Sequence, residues 1–188
     1  MAKGEVKDER VDAEAEARRR LALAQIRQYP DSVLRLRANE VERFDADLER
    51  LAERLTRLMQ DASGVGLAAT QAGVLQRVFV FQPEEEPPRT VVNPRIVERS
   101  DESAVEDEGC LSLQGVNVPV ERDLSIVLVA RDTSGQELRL ELEGLGARVA
   151  QHELDHLDGT LILDRTTPEA RREALAVLRP RPVLDALR

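Results

Sequence analysis

The spacing of apolar side chains divides the chain into helical and extended segments. Between Asp45 and Asp61 apolar residues recur every three or four positions, which predicts a helix with one face against a core. Residues 11–27 are dense in Ala, Glu, Leu and Arg and predict a second, highly charged helix. Near the C-terminus, TPEARREALAVL predicts a last helix, with Thr167 as its N-cap and Pro168 at its first position.

Strand patterns fill the middle of the chain. The run VFVF is short and apolar, and a polar, Pro-rich loop follows it. TVVNPRIV, VNVPV and LSIVLVAR are further strand candidates, and LSIVLVARD and QELRLELEG flank TSG as the two arms of a hairpin. Within QELRLELEG the residues Leu138, Leu140 and Leu142 alternate with polar ones and fall on one face.

The order of these elements indicates the α+β class, with mostly antiparallel sheets and flanking N- and C-terminal helices. Helical spacing also returns between Leu145 and Leu157, after the last strand. We expect three parts: a charged, helical or partly disordered N-terminal extension over residues 1–25, a main domain over 26–166, and a C-terminal helix and tail over 167–188.

Composition limits the function classes. The chain has 188 residues, 41% hydrophobic and 34% charged, as expected for a soluble globular protein. A net charge of −9 disfavours specific DNA binding and attachment to anionic membranes. No apolar run approaches the roughly 20 residues of a membrane span, and the N-terminus lacks an apolar signal segment, so we expect a cytoplasmic protein. The single cysteine, Cys110, excludes an internal disulfide.

Both histidines of the chain lie in the segment QHELDH. Residues four apart share one face of a helix, so His152 and His156 can bind one metal ion, while Glu153 can reach a water on that ion. Leu145 and Val149 lie on the same face and would line the approach to the metal. A surface helix that carries two histidines by chance is the competing interpretation.

A His-Glu-x-x-His site needs a third ligand. Asp158 and Asp164 are downstream candidates, as in many metallopeptidases with this motif. Upstream, the segment EGCLS places the only thiol, Cys110, beside Gly109. Cys110 and the two histidines would form a set with its fourth position open for water, which distinguishes a catalytic site from a closed structural one.

The segment SGVGLAATQ is rich in glycine and lies before the first strand. Gly64, Gly66 and Ala69 have the spacing of a dinucleotide-binding loop, but the preceding LAERLTRLMQDA is helical, whereas that fold requires a strand there. Gln71 offers a side-chain amide that can donate to an oxygen anion. A glycine-rich connection without chemistry is the alternative.

GVGLAATQ, EGCLS and QHELDHLDG, in this order and at these intervals, resemble the three signature motifs of the peptide deformylases. YPDSVLR, NPRI and GLGARVAQHELDHLDGTLILDR extend the resemblance over residues 26–166, which would then be the catalytic domain. The resemblance implies antiparallel sheets around a central helix that carries the HExxH motif. It also implies removal of formate from N-formylmethionyl peptides and nascent chains, with the ribosome near its exit as a further partner.

The resemblance also assigns roles to single residues. The positions that match the metal ligands are Cys110, His152 and His156. Glu153 resembles the acid/base residue, and Gln71 and the backbone N–H of Leu111 resemble the donors to the oxyanion. The positions that match the substrate-binding residues are Val65, Gly66, Gly109, Leu145 and Val149.

The sequence does not decide the identity of the metal, and it leaves two alternative functions. The resemblance implies one Fe²⁺ per chain, with Zn²⁺, Co²⁺ or Ni²⁺ able to occupy the site, whereas nitrogen and sulfur donors by themselves suit Zn²⁺. A zinc endopeptidase would take its third ligand from a downstream acid and would not need Cys110. An inactive metal-bearing module would bind nascent N-termini without needing Glu153.

Overall fold

The computed structural model describes residues 9–83 and 86–179, and for residues 9–12 it describes the backbone alone. Parts of the predicted N-terminal extension and C-terminal tail, residues 1–8 and 180–188, lie outside the described residues. The division of the chain at residues 25 and 166 stays a prediction. No helix in the described part of the chain is long and apolar enough to cross a membrane.

The helices of the described residues are, in chain order, α1 (Glu9–Leu23), α2 (Ala46–Asp61), α3 (Gly144–Leu157), α4 (Ile162–Arg165) and α5 (Pro168–Leu178). Four of these five helices overlap the predicted segments, although α1 ends at Leu23 and not at residue 27, and the short α4 was not predicted. Helix α2 begins at Asp45, whose carboxylate accepts from the backbone N–H groups of the first turn. Helix α5 begins after Thr167, the predicted N-cap, whose hydroxyl accepts from the N–H of Ala170.

Seven strands form two antiparallel sheets, which confirms the α+β class. The strands are β1 (Gly66–Ala68), β2 (Val78–Phe81), β3 (Arg89–Arg99), β4 (Ser103–Gly109), β5 (Asn117–Asp123), β6 (Ser125–Arg131) and β7 (Glu137–Glu143). The larger sheet has the order β1-β2-β3-β6-β7, and β4 and β5 form a separate hairpin.

Strands β1 and β4 were not predicted from the sequence. Strand β1 has only three residues, too few for a periodic signal. Strand β4 reads SAVEDEG, and its one fully buried side chain is Glu108, while Val105 is exposed. A strand whose buried position carries a carboxylate shows no apolar alternation, so the pattern of hydrophobic residues misses it.

The apolar run of β2 is buried on both faces and separates two parts of the core. Val78 and Val80 pack in a cluster with α2 and the last turn of α1. Phe79 and Phe81 pack in a second cluster with α3. Because side chains alternate along a strand, α2 and α3 must lie on opposite faces of the sheet at β2.

Helix α3 also contacts the β4–β5 hairpin, so it lies between the two sheets. The side chain of Gln151 accepts from the N–H of Asp123 and donates to its carbonyl oxygen. Arg148 donates to the carbonyl oxygens of Ala104 and Val120. These bonds fix the histidine-bearing helix against the hairpin whose connecting loop begins with Cys110, as the fold prediction of sheets around a central helix requires.

Two glycines at the ends of α3 permit a stability test. Gly159 has a φ of 73°, and an added Cβ would lie 2.6 Å from the carbonyl oxygen of Arg35. Gly144 has a φ of 53°, and nothing lies within 4 Å of an added Cβ. We predict that Gly144→Ala lowers the free energy of unfolding by about 1–2 kcal/mol, the cost of left-handed backbone for a residue with a Cβ.

Gly159→Ala carries the same backbone cost and adds a clash with main-chain atoms, so its loss should reach about 3 kcal/mol or more. Urea unfolding of both variants under identical conditions measures the difference. Equal losses would contradict the close packing of this turn against Arg35.

Candidate metal centre

The structure brings the three predicted metal ligands together from two elements. Cys110 directly follows β4, and His152 and His156 lie one turn apart on α3. Nε2 of His156 is 3.2 Å from Sγ of Cys110 and 3.2 Å from Nε2 of His152, and the three ligand atoms all lie within 4.8 Å of one another. Tetrahedral coordination by sulfur at about 2.3 Å and nitrogen at about 2.0 Å places donors roughly 3.3–3.6 Å apart. The donor set therefore fits one divalent cation.

Glu108 orients the first histidine. Its Oε2 lies 2.9 Å from Nδ1 of His152, which leaves Nε2 for the metal. The same carboxylate accepts from Arg122 at 2.9 Å through each oxygen and from Arg148 at 2.8 Å. Burial opposes ionisation, but the hydrogen bonds from His152 and Arg122 outweigh it and lower the pKa of Glu108 to about 2. No role was predicted for Glu108, although it is the first residue of EGCLS.

Asp155 extends this network to the end of α3. One carboxylate oxygen accepts from Arg122 at 2.6 Å, and the other accepts from Arg165 at 2.6 Å. The network therefore connects β4, β5, α3 and α4 through side chains of alternating charge. No role was predicted for Asp155 either, although it follows His152 by three residues and the two therefore lie on neighbouring parts of the helix surface.

The two histidines differ in their proton affinity. Burial and the neighbouring His152 hold the pKa of His156 well below its ordinary value, so His156 is neutral, the form that binds metals. Burial would also lower the pKa of His152, but hydrogen bonds with Cys110 and Glu108 raise it well above the ordinary value. Both imidazoles must be neutral to bind a cation, so metal affinity falls as the pH falls.

Glu153 lies beside the ligands but is not one of the three. Its side chain is 3% exposed, and its Oε2 has no hydrogen-bond partner among the described residues. Burial raises the pKa of Glu153 to about 7; His152 opposes this shift and the charge of Glu108 adds to it. A carboxyl group that gains and loses a proton near neutral pH suits general acid–base chemistry.

Gln71 lies in a 3-10 turn, Ala69–Ala72, directly after β1. Its side-chain oxygen accepts from the N–H of Ala68, and its nitrogen lies 3.6 Å from Sγ of Cys110 and 3.1 Å from Oγ of Ser112. These contacts direct the amide nitrogen towards the thiolate side of the metal ligands. Among the hydrogen bonds of the described residues none uses the N–H of Leu111, whose carbonyl oxygen accepts from Gln28.

A cavity of about 450 Å³ opens at this centre. Val65 and Leu145 are exposed, whereas Val149 is buried. The cavity wall contains all five positions that match substrate-binding residues, together with Gln71, Leu111, Cys110, His152 and Glu153. Helix α1 contributes Arg19 and Leu23 to the same wall, which the sequence analysis did not predict.

Two glycines of the cavity wall have no room for a side chain. A Cβ at Gly66 would lie 2.4 Å from Oε1 of Glu153 and 2.8 Å from Cγ1 of Val149. A Cβ at Gly109 would lie 2.6 Å from Oδ1 of Asn117. A side chain at Gly66 would displace Glu153 and Val149, and one at Gly109 would require Asn117 to move.

The downstream acids do not join the ligand cluster. Asp158 pairs with Arg77 at 2.7 Å, and Asp164 pairs with Arg35 and Arg171. Neither belongs to the group of ligand atoms around the histidines. The expectation that one of them supplies the third ligand, on which the endopeptidase alternative depends, has no support in this geometry.

Relatives of this chain in sequence are numerous. A sequence model described as "Polypeptide deformylase" matches residues 23–172. The peptide deformylase of Desulforudis audaxviator is 42% identical over 153 residues, which cover 81% of this chain and 99% of that protein. The peptide deformylase of Thermotoga maritima is 45% identical over 146 residues, which cover 78% of this chain and 88% of that protein.

Solved structures show the same fold. The crystal structure of a Legionella pneumophila peptide deformylase superposes with a TM-score of 0.78 at 37% identity, over 81% of this chain and 91% of that one. The Thermotoga maritima peptide deformylase structure gives a TM-score of 0.74 at 45% identity, over 76% of this chain and 97% of that one. Sequence, fold and the Cys-His-His geometry agree, and the chain belongs to the peptide deformylase family.

Proposed function

We propose that this chain hydrolyses the formyl group from N-formylmethionine at the N-terminus of newly made proteins, with the residue roles given below. Peptide deformylases are hydrolases that act on this amide bond. The observation that carries the residue roles is the cluster of Cys110, His152 and His156, two of which, Cys110 and His152, line a cavity together with Glu153 and Gln71. A nucleophile, a proton carrier and oxyanion donors can thus act on one carbonyl group.

The metal ligands in this proposal are Cys110, His152 and His156. The cation that they would hold supplies Lewis acidity and lowers the pKa of water towards about 7. We propose Fe²⁺, on the resemblance of the three motifs, with Zn²⁺, Co²⁺ or Ni²⁺ able to replace it. The thiolate of Cys110 would make the Fe²⁺ form sensitive to oxygen.

Glu153 acts as the proton carrier. It accepts a proton from the water that attacks the formyl carbon and later donates this proton to the departing amine. The Oε2 atom without a partner is free to receive it, and burial keeps bulk water from competing. Formate and the free amino terminus are the products.

Gln71 and the N–H of Leu111 stabilise the negative charge that develops on the formyl oxygen. The Ala68 N–H donates to the amide oxygen of Gln71. The amide nitrogen therefore faces Sγ of Cys110, at 3.6 Å. Each such donor typically contributes about 3–4 kcal/mol in the transition state. The Ser112 hydroxyl holds the Gln71 amide in place at 3.1 Å.

The remaining cavity wall binds the substrate. Leu145 and Val149 offer an apolar surface to the methionine side chain. Val65, Gly66 and Gly109 line the cavity, and their backbone groups pair with the peptide groups of the substrate. A formylated N-terminus enters with its main chain between these walls.

The cellular setting follows from the substrate. Nascent chains carry the formyl group when they leave the ribosome, so we propose a cytoplasmic enzyme that acts near the ribosomal exit. A net charge of −9 does not favour binding to DNA. The tail over residues 180–188, where a docking segment could lie, is outside the described residues.

Formate release tests the proposal. Protein purified without oxygen is incubated with formyl-Met-Ala-Ser, and formate and bound metal are measured on the same sample. We expect turnover in proportion to metal content, up to one ion per chain. Bound metal without formate release would instead favour a binding module.

Glu153→Gln should separate metal binding from chemistry. The amide keeps the shape of the side chain but cannot carry the proton, so we predict unchanged metal content and a kcat lowered by about 100-fold or more. Glu98→Gln, an exposed acid on β3, is the control and should retain wild-type turnover. Near-wild-type turnover of the Glu153 variant would remove Glu153 from the mechanism.

Cys110→Ser tests the third ligand. We predict that it lowers metal affinity by at least about tenfold and turnover with it, because a neutral hydroxyl replaces a thiolate ligand. Asp158→Asn should keep both, since Asp158 contacts Arg77 and not the ligands. Metal retained in the Cys110 variant and lost in the Asp158 variant would favour the endopeptidase alternative.

Glu108→Gln tests the orientation of His152. The amide cannot match the carboxylate that faces Nδ1 and both arginines, so we predict metal affinity lowered by about 10–100-fold in competition with a chelator. Glu106→Gln is the matched control, because Glu106 lies on the same strand but is exposed and reaches Arg148 alone. Unchanged metal affinity in a variant that thermal melting shows to be folded would contradict this role.

A further inference from the structure

Helix α1 is fixed beside the substrate cavity although it lies outside the region that defines the family. The family match begins at residue 23, so nearly all of α1 precedes it. Ala22 and Leu23 at the end of the helix are nonetheless buried, in the same core cluster as Leu55 and Met59 of α2. The C-terminal half of α1 is therefore held in a defined position relative to the site.

Arg19 extends from this helix to the cavity wall. It lies one helical turn before Leu23, and both residues line the cavity that contains Cys110, His152 and Glu153. Arg19 is exposed. The side chain thus lies at the solvent-exposed edge of the cavity.

Most other charges of the cavity wall already have partners. Glu108 pairs with Arg122, Arg148 and His152, and Arg148 also pairs with Glu106. Among residues 13–83 and 86–179, whose side chains are described, Arg19 makes no ion pair and is in this respect alone among the cations of the wall. Asp107 and Glu153 are the wall carboxyl groups without an ion pair among the described side chains, and neither pairs with Arg19.

We propose that Arg19 is a specificity-determining residue that favours substrates with an aspartate or glutamate shortly after the formylmethionine. This inference rests on the proposed function, because it concerns the peptide that leads away from the formyl group. A guanidinium group at this edge of the cavity attracts a carboxylate without touching the reacting atoms. The preference should appear mainly in KM.

The expected effect is modest because the pair is exposed. Exposed ion pairs correspond to about a two- to fivefold change in affinity at low salt, and salt screens them. We therefore expect kcat/KM for a glutamate peptide to exceed that for its glutamine counterpart by about two- to fivefold. The ratio should approach one at about 0.5 M salt.

A peptide series with matched variants tests the inference. The substrates are formyl-Met-Ala-Xaa-Ser and formyl-Met-Ala-Ser-Xaa, both with amidated C-termini, where Xaa is Glu, Gln or Lys. The enzymes are the metal-loaded full chain and its variants Arg19→Gln, Arg19→Glu and Arg18→Gln. Arg18 is an exposed arginine of the same helix that does not line the cavity, so its variant controls for the change in net charge.

We expect the glutamate preference to be lost in Arg19→Gln, reversed towards lysine in Arg19→Glu and retained in Arg18→Gln. Equal ratios in the wild type and Arg19→Gln, or equal losses in Arg18→Gln, would overturn the inference. Formate release from every peptide at the same kcat/KM would overturn it and leave the proposed function intact. No formate release from any peptide by the metal-loaded wild type would overturn both.

Discussion

Glu108, buried at the end of β4, is bonded to three cationic groups at once: Arg122 on β5, and Arg148 and His152 on α3. Taking such charges out of water is costly, and the cost is offset only when each charge meets its partners in good geometry. Removal of one member would leave a buried charge without compensation, at about 3–5 kcal/mol. The network therefore allows one position of α3 against the hairpin, and Cys110 lies two residues beyond Glu108 on the same chain segment. The distance between thiolate and imidazoles follows from this constraint.

The same constraint gives the two carboxyl groups of the centre different tasks. Glu108 is surrounded by hydrogen-bond donors, so its pKa is lowered to about 2 and it remains a fixed anion. Glu153 is buried with one oxygen without a described partner, and its pKa is raised to about 7. Glu108 and Glu153 are the same residue type, but their surroundings give them different tasks. Glu108 orients a metal ligand, and Glu153 moves a proton. Gly66 permits this arrangement, because any side chain there would occupy the place of the Glu153 carboxylate.

Much of this architecture follows from the sequence. The pattern of apolar residues predicts α2, α3 and four of the five strands of the large sheet, β2, β3, β6 and β7, but not the three-residue β1. The pair His152 and His156 and the lone Cys110 could be recognised because few residue types bind a metal this way. Strand β4 could not, because Glu108 occupies its buried position and its stability depends on partners remote in sequence. The position of Arg19 beside the cavity could not be predicted either, because helical periodicity does not show which cavity the end of a helix reaches.

The proposed function requires that Sγ of Cys110 and one imidazole nitrogen each of His152 and His156 bind one metal ion. X-ray absorption at the zinc edge of the zinc-loaded protein measures this directly. We predict one sulfur at about 2.3 Å and two imidazole nitrogens at about 2.0–2.1 Å, with a light oxygen or nitrogen atom as the remaining neighbour. A first shell of nitrogen and oxygen without sulfur would contradict the assignment of Cys110 and the role of the β4–β5 hairpin in the site.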